Sequence, residues 1–156
     1  MVELVPSLLR QELARLADES ERIDGRGQWD TREVSLETNC LYNAEGSAKV
    51  VMGGTVVYAG VKFELRTPWP DRPTQGSLMC GAELRPVAGR KYEPGPPSPQ
   101  SIELGRVVDR GIRESGCIDM ESLCIVPGEK VWGVMIDIHV LSDQGNIFDA
   151  CGLAAI

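Results

Sequence analysis

A proline-rich tract that leads straight into a helical pattern constrains the fold of this chain more than any other feature. Residues 93–97 hold three prolines and one glycine, which exclude a central strand there because proline donates no backbone hydrogen bond. Residues 101–115 then place apolar side chains at helical spacing, with Ser101 as the predicted N-cap and Gly116 just beyond the end. The sequence therefore predicts a rigid loop that feeds a helix of about four turns.

The predicted helix gathers positive charge on one side. At about 100° per residue, Arg106, Arg110 and Arg113 fall within about 60° of one another. Neighbouring like charges repel, so we expect acids of the protein or a bound anion to neutralise them. The apolar residues of the other side are expected to dock on a sheet: Leu104, Val107, Val108 and Ile112.

Two interpretations of this arginine face remain open on the residues alone. A spacing of four residues pairs Asp109 with Arg113 and Arg110 with Glu114, which is typical of a solvated helix with salt bridges along its surface. The other interpretation is contact with a phosphate backbone, which the planar, forked guanidinium suits better than an ammonium group does.

The chain as a whole is acidic, with a formal net charge of −7 over 156 residues. This charge argues against a protein that coats nucleic acid with a basic surface, because counterion release needs clustered lysine and arginine, but one local basic patch is still allowed. The length suits a single globular domain. There is no basic-then-apolar leader pattern and no apolar run long enough to cross a bilayer, so we expect a cytoplasmic protein with no membrane partner.

Alternating apolar and polar residues predict a sheet around this helix. A pair of glycines, Gly53 and Gly54, separates two of the strand patterns and predicts a hairpin. The prolines of residues 67–73 end that hairpin, and residues 85–99 are predicted to form a surface crossover rather than a linker between domains. The predicted strands are residues 32–36, 48–52, 55–65, 77–84, 123–126 and 131–141.

Helical patterns also lie near both ends of the sequence. Residues 5–17 form an amphipathic pattern, and residues 148–156 resemble the start of a buried helix that stops without a polar cap. We therefore expect an N-terminal helix in residues 1–20 and one domain in residues 21–156 that is truncated at its C-terminal side.

Cysteine and histidine offer little for a metal or catalytic site. The five cysteines are odd in number and form no CxxC pair, which favours reduced thiols over disulfides or a zinc site. The single histidine, His139, lies in an apolar strand pattern, where a core or strand-face role is expected. Asp137, Asp143 and Asp149 have no ligand-like spacing, so neither a metal nor another cofactor is expected.

Six short motifs follow one another in this chain. They are Arg22-x-Asp24-Gly25-Arg26, residues 44–48 (AEGSA), residues 93–97 (EPGPP), residues 102–110 (IELGRVVDR), residues 127–132 (PGEKVW) and residues 152–155 (GLAA). In this order they resemble the RNase PH family and, more narrowly, the non-catalytic RNase PH-like ring subunits of the archaeal exosome. The resemblance extends from about Leu8 to the last residue.

The resemblance implies a two-layer α/β fold, the RNase PH-like βαβα fold of the ribosomal protein S5 domain 2-like type, of which this chain would supply the N-terminal part. It implies a hexameric ring of three heterodimers with a catalytic RNase PH-like subunit, together with RNA-binding cap subunits. That partner degrades single-stranded RNA from the 3′ end with inorganic phosphate as nucleophile. Arg106, Arg110 and Arg113 match the family's RNA-contacting arginines on the central helix.

The same resemblance suggests that this chain is not itself the catalyst. Active members hold phosphate at a strand-to-helix turn through a hydroxyl, a guanidinium and free backbone N–H groups. Residues 143–149 (DQGNIFD) replace these groups with Ile147 and Phe148 and add Asp143 and Asp149, whose charge should repel phosphate. Active members also use an acidic residue beyond the last residue of this chain.

The sequence leaves two other functions open. The first is an active phosphorolytic 3′-5′ exoribonuclease whose phosphate site lies elsewhere in the chain. The second is a small thiol protein with no connection to RNA, which one strongly acidic cysteine would favour.

Overall fold

The computed structural model describes residues 4–156 of the chain, and side chains from residue 7 onward. Two compact units can be distinguished, one ending at Glu33 and the other covering Val34–Ile156. Among the helices described, none is long and apolar enough to traverse a bilayer.

The first unit contains one helix and a small turn. Helix α1 spans Leu4–Asp18, which confirms the helix predicted over residues 5–17. Arg15 stabilises its last turns through ion pairs of 2.7 Å to both Glu12 and Glu19. Beyond it, Glu21 and Gly27 form an isolated antiparallel bridge.

The second unit is built on one six-stranded sheet. Its strands are β1 (Val34–Thr38), β2 (Gly46–Met52), β3 (Thr55–Arg66), β4 (Ser77–Leu84), β5 (Cys124–Val126) and β6 (Lys130–Ser142). Their order in the sheet is β1-β2-β3-β6-β4, and β5 pairs with β6. Strand β4 runs parallel to β6, whereas the other pairs are antiparallel. The predicted hairpin across Gly53 and Gly54 is confirmed as the β2–β3 pair.

Two helices cover one face of this sheet. Helix α2 (Pro99–Ser115) packs on β4, and helix α3 (Ile147–Ala155) packs on β2, β3 and β6 while also touching α2. Alternate residues of β6 from Val134 to Val140 point into this layer and are at most 5% exposed. The result is a two-layer α/β unit with a single core, which confirms the predicted fold class.

The start of α2 differs from the prediction. Ser98, not Ser101, is the N-cap, and its side-chain oxygen accepts the backbone N–H of Ser101 at 3.2 Å. Pro99 occupies the first helical position, where its fixed φ fits a helix and its missing N–H costs nothing. Ser101 is instead buried in the first turn of the helix.

The structure differs from two further predictions. Val107 does not dock on the sheet as predicted but is 40% exposed, because it lies at the boundary between the two sides of α2. Residues 85–99 form a crossover as predicted, yet this crossover is more than a surface loop. It contains a short 3₁₀ helix (Pro86–Ala88), and Ala88 and Tyr92 are buried in the core.

Candidate nucleic-acid interface

Helix α2 is fixed along the free edge of β4 at three points. At its first turn, the Ser101 hydroxyl donates a hydrogen bond to the carbonyl of Ala82. At its middle, Gly105 lies so close to the strand that an added Cβ would stand 3.3 Å from the Cys80 carbonyl oxygen. At its last turn, Arg113 Nη2 donates to the carbonyl of Leu78 at 2.9 Å. These contacts set the position of every side chain on the exposed side of the helix.

Arg113 has a structural role in this arrangement. Besides the bond to β4, its Nε and Nη2 donate to the carboxylate of Asp109 at 3.1 and 2.8 Å. The predicted Asp109–Arg113 ion pair therefore forms, and the Arg113 side chain keeps 41% of its surface exposed. The guanidinium serves as an anchor for the helix while part of it still faces solvent.

Arg106 and Arg110 are exposed and uncompensated. Across the part of the chain that the structure describes, neither makes a hydrogen bond or an ion pair. The expected pair of Arg110 with Glu114 does not form there, so the salt-bridge interpretation accounts for only one of the three arginines. Two neighbouring cations without partners are suited to an external anion.

These arginines line a groove of about 860 Å³, which we call the α2 groove. Its floor is partly apolar, since Ile102 and Val107 are 52% and 40% exposed beside the guanidinium groups. Such a surface can contact both the phosphates and the sugars or bases of a nucleic acid. The lining residues are Cys80, Pro99, Ile102, Glu103, Arg106, Val107, Asp109, Arg110 and Arg113.

Two backbone N–H groups of the turn between β6 and α3 already bind the protein's own side chains. Asp143 accepts the backbone N–H of Gly145 at 3.0 Å, and the Thr55 hydroxyl accepts that of Gln144 at 3.0 Å. The side chain of Asp149 lies in the first turn of α3, where it interacts favourably with the positive end of the helix dipole. An anion at this turn would therefore meet two occupied N–H groups and the carboxylates of Asp143 and Asp149.

The Asp143 carboxylate also ties this turn to the proline-rich crossover. Its side chain is only 6% exposed and accepts hydrogen bonds from Lys91 Nζ at 2.7 Å and from the Tyr92 hydroxyl at 2.6 Å. Burial acts to raise the pKa of Asp143, but the hydrogen bonds from Lys91, Tyr92 and the Gly145 N–H outweigh it and hold the pKa below its ordinary value.

We expect Asp143→Asn to lower the free energy of unfolding by about 2 kcal/mol at neutral pH, since hydrogen bonds to charged groups contribute about 1.5–3 kcal/mol. A carboxyl whose pKa is lower in the folded state stabilises fully above its unfolded pKa of about 3.9 and loses that contribution as pH falls through the folded value. The unfolding free energies of Asp143→Asn and the unaltered protein should therefore become equal in acid. Urea unfolding between about pH 7 and pH 3 measures this, with exposed Asp137→Asn as control. A difference that stays constant with pH would count against the account.

The remaining titratable residues do not assemble a second chemical centre. His139 lies on the exposed face of β6, 3.5 Å from Glu83, which agrees with the strand-face role expected for it. Burial raises the pKa of the Cys151 thiol to about 12, which leaves it protonated and unreactive. Across the residues that the structure describes, no group of three or more His, Cys, Asp or Glu side chains could hold a metal ion. None of the five cysteines forms a disulfide there.

The family model of the RNase PH domain, described as the 3′ exoribonuclease family, domain 1, matches residues 30–156. Among curated proteins, the exosome complex component Rrp42 of Methanosarcina acetivorans is 51% identical over 156 residues, which cover 100% of this chain and 59% of that relative. The chain thus spans about three-fifths of that relative's length.

Solved structures of archaeal exosomes also match this chain. The structure described as the Archaeoglobus fulgidus exosome with RNA bound to the active site matches with a TM-score of 0.93 and 48% identity, over 98% of this chain and 60% of the other. An archaeal exosome core matches with a TM-score of 0.83 and 45% identity, over 96% of this chain and 56% of the other.

Proposed function

Because the chain belongs to the RNase PH family, we propose that it is a non-catalytic subunit of an exosome ring and holds single-stranded RNA beside the active site of a catalytic RNase PH-like partner subunit. In this proposal three such heterodimers form a hexameric ring that carries RNA-binding cap subunits and degrades RNA from the 3′ end. The likeness to archaeal exosome structures, one of them with RNA bound, supports the proposal.

The observation that carries the RNA role is a pair of exposed arginines that have no partner among the described residues and lie on a helix whose position is fixed. Arg106 and Arg110 are the residues we assign to the phosphate backbone, because their guanidinium groups are available and lie one helical turn apart. Arg113 contributes to the same RNA surface through its exposed part while it anchors α2 to β4.

The lack of catalysis is supported by the β6–α3 turn. Phosphorolysis requires a bound phosphate, and at this turn the N–H groups of Gln144 and Gly145 are already used by Thr55 and Asp143. The carboxylates of Asp143 and Asp149 would also repel a dianion.

The experiment is a phosphorolysis assay on the reconstituted ring. The chain is assembled with its catalytic partner in two forms, one active and one with its active site inactivated, and release of nucleoside diphosphates is measured with and without phosphate. We expect phosphate-dependent release from the first ring only, with RNA binding retained by the second. Release from the ring with the inactivated partner would show that this chain is itself a phosphorolytic exoribonuclease.

A further inference from the structure

A second groove lies beside the α2 groove and meets it at Arg113, which lines both. It has a volume of about 560 Å³ and is formed by the chain between β3 and β4 and by the start of β4. We call it the loop groove. Its charged and aromatic lining consists of Arg66, Trp69, Asp71, Arg72 and Arg113.

Trp69 is the main feature of the loop groove. Its side chain is 65% exposed although the neighbouring Pro68 is buried, so the ring stands out from a fixed base. Pro68 and Pro70 on either side restrict the backbone, and the carbonyl of Trp69 accepts the N–H of Arg72 at 2.9 Å in a turn. A large apolar ring held open to solvent by an ordered loop is suited to stacking on a planar ligand.

The C-terminal part of this loop, residues 73–76, is held by backbone hydrogen bonds. The N–H of Gly76 donates to the carbonyl of Met120 at 2.8 Å, and the N–H of Gly128 donates to the carbonyl of Pro73 at the same distance. Both bonds join the loop to the segment between α2 and β6. Little ordering entropy would therefore be lost when a ligand packs against Trp69.

Among the arginines of the loop groove, Arg72 is the one best able to bind an anionic ligand. Its contact with the neighbouring Asp71 is 3.8 Å long, and both side chains are more than 60% exposed, so this pair contributes little and can exchange for a phosphate. Arg66 is held more firmly, since it bonds Glu64 at 3.0 Å and lies against the sulfur of Met79. Arg72 and Trp69 therefore offer one weakly paired guanidinium and one exposed ring in the same groove.

We propose that the loop groove is a second binding site for single-stranded RNA, in which Trp69 stacks on an unpaired base while Arg72 contacts a phosphate. The inference rests on the RNA role of the α2 groove, because Arg113 makes the two grooves one continuous path. Alternating aromatic and basic side chains are the usual means of binding a single strand without reading its sequence. A duplex does not fit this proposal, since its bases have no free faces.

The test uses the chain assembled with its catalytic partner and a fluorescent oligoadenylate, with binding followed by anisotropy over a range of salt concentrations. Stacking on one base contributes roughly 1–3 kcal/mol, so Trp69→Ala should weaken binding about tenfold and leave the salt dependence unchanged. Trp69→Phe should restore most of the affinity. Arg72→Gln should instead make the salt dependence shallower by about 0.7 in the log–log slope.

Matched controls separate stacking from general effects. Trp29 is 90% exposed and lines neither groove, so Trp29→Ala should leave binding unchanged. Duplex RNA should bind the Trp69→Ala ring as well as it binds the unaltered ring. Unchanged oligoadenylate affinity in Trp69→Ala, or an equal loss for duplex RNA, would overturn the loop groove as a stacking site.

Two parallel measurements keep this inference apart from the proposed function. If Arg106→Gln/Arg110→Gln weakens binding while Trp69→Ala does not, the loop groove fails and the function stands. If only Trp69→Ala weakens binding, the assignment of the α2 arginines fails instead. Size-exclusion chromatography of each ring completes the test, because loss of assembly in Trp69→Ala would mean that the loop groove binds another subunit and not RNA.

Discussion

Replacing Arg106 and Arg110 together with glutamate is expected to lower the affinity of the assembled ring for single-stranded RNA by about 100-fold. Each charged hydrogen bond to a phosphate contributes about 1.5–3 kcal/mol, and the loss of two at the lower value is about 3 kcal/mol, or two factors of ten. Fluorescence anisotropy with a labelled oligonucleotide measures this effect. Folding should be unaffected, because both side chains are exposed and bond no other described residue.

The control for this variant carries the same change in charge elsewhere. Arg10 and Arg90 are exposed and line none of the grooves described, so Arg10→Glu/Arg90→Glu should bind RNA nearly as well as the unaltered ring. An equal loss in both variants would mean that overall charge, and not the α2 groove, governs binding.

The largest effect on stability is expected from Gly76→Ala, which should lower the free energy of unfolding by about 3 kcal/mol or more. An added Cβ would stand 2.5 Å from Cβ of Leu123 and 2.7 Å from the carbonyl oxygen of Trp132, so the backbone at the start of β4 would have to move. That movement would also weaken the bond between the Gly76 N–H and the Met120 carbonyl. Urea unfolding followed by circular dichroism gives the value.

Gly152→Ala is the matched control for this change. Gly152 lies inside α3, and outside its chain neighbours and the backbone of its own helix no described atom stands within 4 Å of an added Cβ. Alanine in a helix is more stable than glycine by roughly 0.5–1 kcal/mol, so this variant should be slightly stabilised. Similar changes in the unfolding free energy of the two variants would show that contact of the added Cβ with Leu123 and Trp132 does not cause the loss of stability at Gly76.

The local elements of the fold could be predicted from the sequence because their signals are local. Paired glycines marked the β2–β3 hairpin, alternation marked β1, and a proline-rich tract marked the entry to α2. The wrong N-cap predicted for α2 also has a local cause. Ser98 and Ser101 are both good N-cap residues, and only Pro99 decides between them.

The contacts that the site residues make depend on partners far away along the chain. The arginine face and the Asp109–Arg113 pair followed from helical spacing, but the anchoring of Arg113 to β4 depends on the Leu78 carbonyl, which lies 35 residues away along the chain. Likewise, the excess of negative charge at the β6–α3 turn could be predicted, whereas the bond of Asp143 to Tyr92, 51 residues away, could not. The aromatic groove beside Arg113 was missed because Trp69 lies in a loop that suggested only the end of a hairpin.

The salt dependence of RNA binding tests the central claim most directly, because it counts the phosphates that the protein neutralises. For single strands, log affinity falls with log salt concentration by about 0.7 per neutralised phosphate, so removing two contacts should make the slope shallower by about 1.4. The account predicts this difference between the unaltered ring and the ring with Arg106→Gln/Arg110→Gln. Equal slopes in the two rings would contradict it.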